Sequence, residues 1–346
     1  MMPKAKFNEL SSVIDSIKMV SSTEFLVNDR GTYLTADGHG QKLRIDRSKT
    51  NIYPFVELHE ILYSILHTKQ KFLYYHTEKF DHYSDTQKLT ESLSEANTGE
   101  GTWDPGWEIT NIEENGQELA VQRDGLTLWV FPNEIFVEEN ESSVGKNCYI
   151  KIGKEFRDLL PGFYMAIGNA TNNYNLENVV RIYWNITTEG AIKLTKNLTT
   201  ELNLMNIPFR FKILKDPYAF SRVDAAVLYI NKEYLTTSRK SLSKVYHIVG
   251  GYLNCPTPVF AKELAPGLAL AESPRNSHES FGENRCRILA EAIYETCKSG
   301  VMSSDAKLSE VIKYFAKLGI DLNRAYINPN SVDDYDILLS GAFVYD

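Results

Sequence analysis

A chain of 346 residues, 43% hydrophobic and 24% charged, is long enough to bury its own core without disulfide or metal staples. Its formal charge of -8 works against a nucleic-acid partner, which calls for a basic excess. No run approaches the roughly 18 apolar residues of a membrane span, and Met1 to Lys18 lacks the basic-then-apolar layout of a signal peptide, so a cytoplasmic protein with no membrane partner is expected.

Cys148, Cys255, Cys286 and Cys297 never form a C-x-x-C pair, which argues against zinc ribbons and redox motifs. Leu58, Ile61, Leu62, Ile65 and Leu66 repeat at helical spacing and predict an amphipathic helix over 57–69. His59 and His67 lie on or beside it, without carboxylates arranged around them, and read as packing and surface residues rather than metal ligands. The Gly- and Pro-bearing stretch 92–107 reads as a loop in which Trp103 and Trp107 pin the chain to the core. Residues 118–123 and 127–131 read as a hairpin closed by Asp124-Gly125.

The acidic piece 137–146 is the best boundary, dividing an N-terminal helical and hairpin region, 1–145, from an α+β domain, 146–346. Beyond it, 179–186, 207–214 and 225–231 are strand-like, while 191–205, 238–253, 285–297 and 305–318 are helix-like. The fold class is therefore α+β, a mixed or antiparallel sheet flanked by helices.

Counting in twos splits each strand into faces. Val180, Ile182, Trp184 and Ile186 form an apolar row opposite Arg181, Tyr183 and Asn185; Phe209, Phe211 and Ile213 lie opposite Arg210 and Lys212. If the strands are neighbours, Arg181, Arg210 and Lys212 converge, with Arg222 and Asp224 entering from the approach to the third strand. Such a patch suits a phosphate dianion; an ordinary solvated sheet face fits the same pattern. A second cluster is the long Pro- and Gly-bearing loop from Pro258 through Lys262 to Ser280-Phe281-Gly282. It ends at a helix start where free N–H groups attract anions and Arg285 opposes the dipole. His278 lies in that loop, as a candidate acid or an incidental residue.

Several of these segments resemble one known family. Arg181-Ile182-Tyr183-Trp184-Asn185, Ile207-Pro208-Phe209 with Lys212, Arg222-Val223-Asp224 with Tyr229, Leu264-Ala265-Pro266-Gly267-Leu268 and Ser280-Phe281-Gly282 with Arg285 are similar to the HopA-type effector-like family. So are Ala96-Asn97-Thr98-Gly99 and Pro161-Gly162-Phe163-Tyr164. The resemblance runs from about Tyr74 to the last helix. Asn284 stands where many members carry a His before the motif arginine.

That resemblance implies a phosphothreonine-lyase-like C-terminal part and two functions. One is the lyase partner of a split dehydratase: a kinase-like protein phosphorylates Ser or Thr of a precursor peptide, and the lyase eliminates phosphate to leave dehydroalanine or dehydrobutyrine. The other is a non-catalytic effector that is secreted into a host cell and binds host proteins. In the first, no cofactor is required. Lys212 is the expected base, its pKa lowered by Arg210 and Arg181, with Lys262 as the alternative. Arg181, Arg210, Arg222 and Arg285 are the phosphate ligands, Asp224 orients one of the cations, and Tyr229 or His278 is the acid. The N-terminal half is expected to hold the peptide, its tyrosines offering amphipathic contact surface.

Overall fold

The computed structural model describes residues 2–19, 25–27, 54–70, 82–113, 116–138, 142–170, 178–275, 279–300 and 303–336. His278 lies outside them. The chain opens with helix α1 (Lys4–Ser16) and a short antiparallel pair, β1 (Ile17–Met19) and β2 (Phe25–Val27). Helix α2 (Pro54–Leu62) continues into a π-helical segment, Tyr63–Thr68, and ends at Lys69, whose φ of 52° breaks the helix. Helix α3 (His82–Ala96) follows.

Five strands then form one antiparallel sheet: β3 (Thr102–Ile112), β4 (Leu119–Arg123), β5 (Leu126–Val130), β6 (Ile135–Phe136) and β7 (Asn147–Ile152), in the order β5-β4-β3-β7-β6. Of the stretch 92–107, expected as loop, residues 92–96 end α3 and 102–107 open β3. The pairing register slips between Asp104 and Trp107, so Pro105 and Gly106 sit in a bulge that lets the strand continue around them. Trp107 is buried as expected, whereas Trp103 is 36% exposed. The β4–β5 hairpin turns on Asp124 and Gly125, with φ of 51° and 79°, the left-handed pair that a two-residue hairpin turn demands. This sheet has its own small core of Trp107, Ile109, Leu119, Val121, Val137, Cys148 and Ile150. Because β7 pairs with β3, the sheet runs across position 146, and the second sheet begins at Glu155.

The second sheet is built from β8 (Glu155–Leu160), β9 (Phe163–Ile167), β10 (Val179–Trp184), β11 (Phe209–Leu214), β12 (Ala226–Asn231), β13 (Lys262–Ala265) and β14 (Leu268–Glu272), in the order β13-β14-β10-β12-β11-β9-β8, every pair antiparallel. Helix α4 (Thr188–Leu204) starts at Thr187, whose side chain accepts from Gly190 N, and α5 (Leu235–Val249) packs on it. The stretch 262–272, expected as loop, is the β13–β14 hairpin. Helices α6 (Phe281–Lys298) and α7 (Ser304–Lys317) close the described fold.

Register fixes the two faces. Ile182, Leu228, Phe211 and Ala166 line up across β10, β12, β11 and β9, as do Arg181, Tyr229, Arg210 and Ile167 one residue away. On the apolar side Tyr164 reaches Asn97 beyond α3, and Thr98 meets Thr199 of α4. On the other side Tyr183 meets His67 and Phe281, so the π-helical segment and α6 cover that face. β10 and β11 are therefore not neighbours; β12 lies between them and inserts Tyr229 between Arg181 and Arg210.

Candidate functional site

The two-residue repeat of β10 and β11 brings Arg181, Arg210 and Lys212 to one face, and β12 and β9 add aromatic rings between them. Arg181 lies 5.2 Å and Lys212 Nζ 5.9 Å from the Tyr229 ring centre. Lys212 Nζ is 4.4 Å and the Arg222 guanidinium 5.6 Å from the ring of Phe163. Each ring is thus shared by two cations, and its electron-rich face offsets part of their mutual repulsion. Arg181 also donates through Nε to Ser273 Oγ at 2.9 Å. Arg210 is exposed, at the edge of the group.

Arg222 makes a two-pronged contact with Asp224, Nε to Oδ1 at 2.8 Å and Nη2 to Oδ2 at 2.7 Å. That loop is held by Val223 N donating to Thr68 O, the end of the π-helical segment. The same segment delivers His67, whose Nε2 is 3.8 Å from Asp224 Oδ2. Tyr63 stacks on His67 with ring centres 5.0 Å apart, and Tyr183 meets it edge-on at 5.4 Å. From α6, Gly282 closes the other side: a Cβ there would lie 2.4 Å from His67 Cγ. The Ser-Phe-Gly motif needs glycine for this close approach.

His67 and Asp224 are 3% and 1% exposed. Burial lowers the His67 pKa to about 4; Asp224 pulls the other way, and Arg222, Lys212 and Arg181 add to the lowering. Burial works to raise Asp224, but the charge and hydrogen bonds of Arg222, helped by His67 and Lys212, hold its carboxyl below the usual range. Tyr63 and Tyr183 are both pushed up by burial, so both phenols are neutral. Near neutral pH the group presents cationic Arg181 and Arg222, anionic Asp224 and an uncharged imidazole. Such an arrangement suits a multiply charged anion.

The fold does not bring the remaining expected residues here. Lys262 pairs in register with Leu270, in the opposite row to Arg181, and contacts Asp333 at 3.3 Å and Asp336 at 2.6 Å. Arg285 is not a surface residue. It is 2% exposed and donates to Ala325 O, Ile327 O and Asn284 Oδ1. The start of α6 is capped from within, Ser280 Oγ accepting from Glu283 N and Glu283 accepting from Ser280 N. Among the described residues no cluster of His, Cys, Asp and Glu is arranged for a metal ion. His67 is the member that sequence reading passed over, since helical spacing marks it as ordinary packing. Its signal was Gly282, a small residue in a motif whose purpose shows only when the ring above it is seen.

Residues 156–327 match the HopA1 effector protein family. This part of the chain is HopA-type. The match spans the seven-stranded sheet and α6, and so holds Arg181, Lys212, Arg222 and Asp224, while His67 lies before it. Two solved structures are similar. One is an effector protein from Pseudomonas syringae pv. tomato strain DC3000, at 16% identity and a TM-score of 0.45, covering 80% of this chain and 96% of that one. The other is an effector protein from Pseudomonas syringae pv. syringae strain 61, at 17% identity and a TM-score of 0.42, covering 71% and 82%. No match was found among curated proteins.

Proposed function

We propose that the Arg181, Lys212 and Arg222 face of this HopA-type chain receives the phosphoryl group of phosphoserine or phosphothreonine in a precursor peptide. The chain then eliminates phosphate to leave dehydroalanine or dehydrobutyrine. The observation that carries this reading is the sharing of Tyr229 and Phe163 by three cations from separate elements, one of them clamped by buried Asp224. Lys212 Nζ, once its ammonium proton has passed to solvent, takes the α-proton, the Cβ–O bond breaks, and the two guanidiniums stabilise the charge that develops on the phosphate. Arg210, at the exposed rim, meets the incoming anion first. A kinase-like partner supplies the phosphorylated peptide, and the effector family match supports a setting inside a host cell.

The test is a Lys212→Ala variant incubated beside wild type with a synthetic phosphoserine peptide, read by phosphate release and mass spectrometry. Wild type yields a product lighter than the unphosphorylated peptide by one water. The variant loses about a thousandfold in rate. A product with intact Ser would mean phosphatase chemistry. An inert wild type in the presence of the partner kinase sinks the lyase and leaves an effector that acts by binding.

A further inference from the structure

His67 is sealed by four elements, each bringing charged or titratable groups to it. Its own segment brings Tyr63; β10 brings Tyr183 and Arg181; β11 and the loop before β12 bring Lys212, Arg222 and Asp224; α6 brings Phe281 and Gly282, its Glu283 acting on Tyr63. Its Nδ1 is buried with no hydrogen-bond partner, and Nε2 faces Asp224. In the free protein three cations outnumber one carboxylate around the ring, and the imidazole is uncharged. A dianion seated among Arg181, Lys212 and Arg222 cancels that net positive charge. Two negative charges within several ångströms, at the modest screening of a partly buried site, suffice to bring a proton onto the imidazole.

We propose that His67 is the proton store of this site: seating a dianionic phosphoryl group draws one proton onto its ring, and that proton leaves with the departing phosphate. The inference rests on the phosphate reading above. Lys212 first loses its ammonium proton to solvent; in the elimination the α-proton passes to the neutral Nζ, and the Cβ–O electron pair stays on the bridging oxygen. The proton held by His67 reaches that oxygen by way of the Asp224 carboxylate that Nε2 faces. Hydrogen phosphate departs, His67 returns to its neutral state, and Lys212 is again the ammonium it was at the start. Charge and atoms balance without any co-reactant.

Sulfate is the probe, because it stays a dianion across the working pH range and any proton uptake must come from the protein. Calorimetric titration of the full chain with sulfate at pH 6, in two buffers of different ionisation heat, counts the protons bound and needs no variant. About half a proton or more is expected, against none for His67→Gln. In imidazole NMR, saturating sulfate should move the His67 titration from about 4 to about 6 or above. Sulfate binding with the same heat in both buffers, or an unchanged His67 titration, overturns the proton store while leaving the phosphate site standing. If neither sulfate nor a phosphoserine peptide binds, the phosphate reading falls and takes this inference with it.

Discussion

Two guanidiniums, one half-buried and one buried, barely distinguishable in the sequence, have opposite employments. Arg222 is met by Asp224, with His67 beside the same carboxylate oxygen, Oδ2, and Lys212 across Phe163. Arg285 is met by two backbone carbonyls and an amide oxygen. Burial pulls its pKa down to about 10, which still leaves it charged. The first is bonded to a group that titrates and has a partly open side; the second is bonded only to groups that do not titrate, with Glu272 and Tyr183 acting on it through space, and is enclosed. A charge held by titrating neighbours can change state with a ligand or with pH. A charge held by carbonyls ties two segments together, here α6 and the stretch 325–327, whatever the pH.

The largest effect should come from the enclosed member. Arg285→Ala leaves two carbonyls without donors and a void beneath Phe281, and should cost about 3–5 kcal/mol of unfolding free energy. Urea titration at pH 6 and pH 8 should give the same loss at both. A loss below about 1 kcal/mol would mean that the carbonyls are readily resolvated and that Arg285 is no structural tie.

The titrating member should govern the acid limb of stability. The unfolded imidazole takes its proton near 6.5, whereas His67 in the fold does so only near 4. Between those values the unfolded chain binds more protons, so the contribution is complete above 6.5 and is lost as pH falls to about 4, amounting to about 3 kcal/mol. The depressed carboxyl of Asp224 acts in the same direction, its share lost at lower pH still. Melting curves from pH 7.5 to 4 should therefore slope steeply for wild type and less for His67→Gln. Parallel slopes would show that His67 is solvated and that the contrast with Arg285 is empty.

The same contrast explains what was legible beforehand. The alternation of Arg181 with Ile182 and of Arg210 with Phe211 states the faces of β10 and β11, because side chains in a strand alternate whatever lies next to it. Which strands adjoin is a long-range fact, and β12 with Tyr229 between them carries no local mark. The β13–β14 hairpin was read as loop because Leu264, Ala265, Leu268 and Ala269 are all buried. A strand covered on both faces shows no alternation, which left Pro266-Gly267 looking like a breaker instead of a turn. β3 hid for a related reason, its Pro and Gly occupying a bulge. Arg285 drew attention by its charge, but carbonyl partners have no sequence signature, and the same gap concealed the meeting of His67 with Asp224.

The smallest predicted effect concerns Lys262, which sequence alone set level with Lys212 as the base. Its ammonium lies between Asp333 and Asp336, and the Asp336 side chain is 82% exposed. Ion pairs with a partner so open to water contribute little, so Lys262→Ala should change stability by less than about 1 kcal/mol. Phosphate release should be unchanged, because the register puts Lys262 on the apolar side of the sheet, away from Tyr229 and Phe163. The measurement is a rate comparison of Lys262→Ala and Lys212→Ala on one phosphopeptide. A variant of Lys262 that stays folded but no longer releases phosphate, beside an active Lys212→Ala, would move the chemistry to the other side of the sheet. The cluster around Asp224 would then be a structural charge network, no different in kind from the one that holds Arg285.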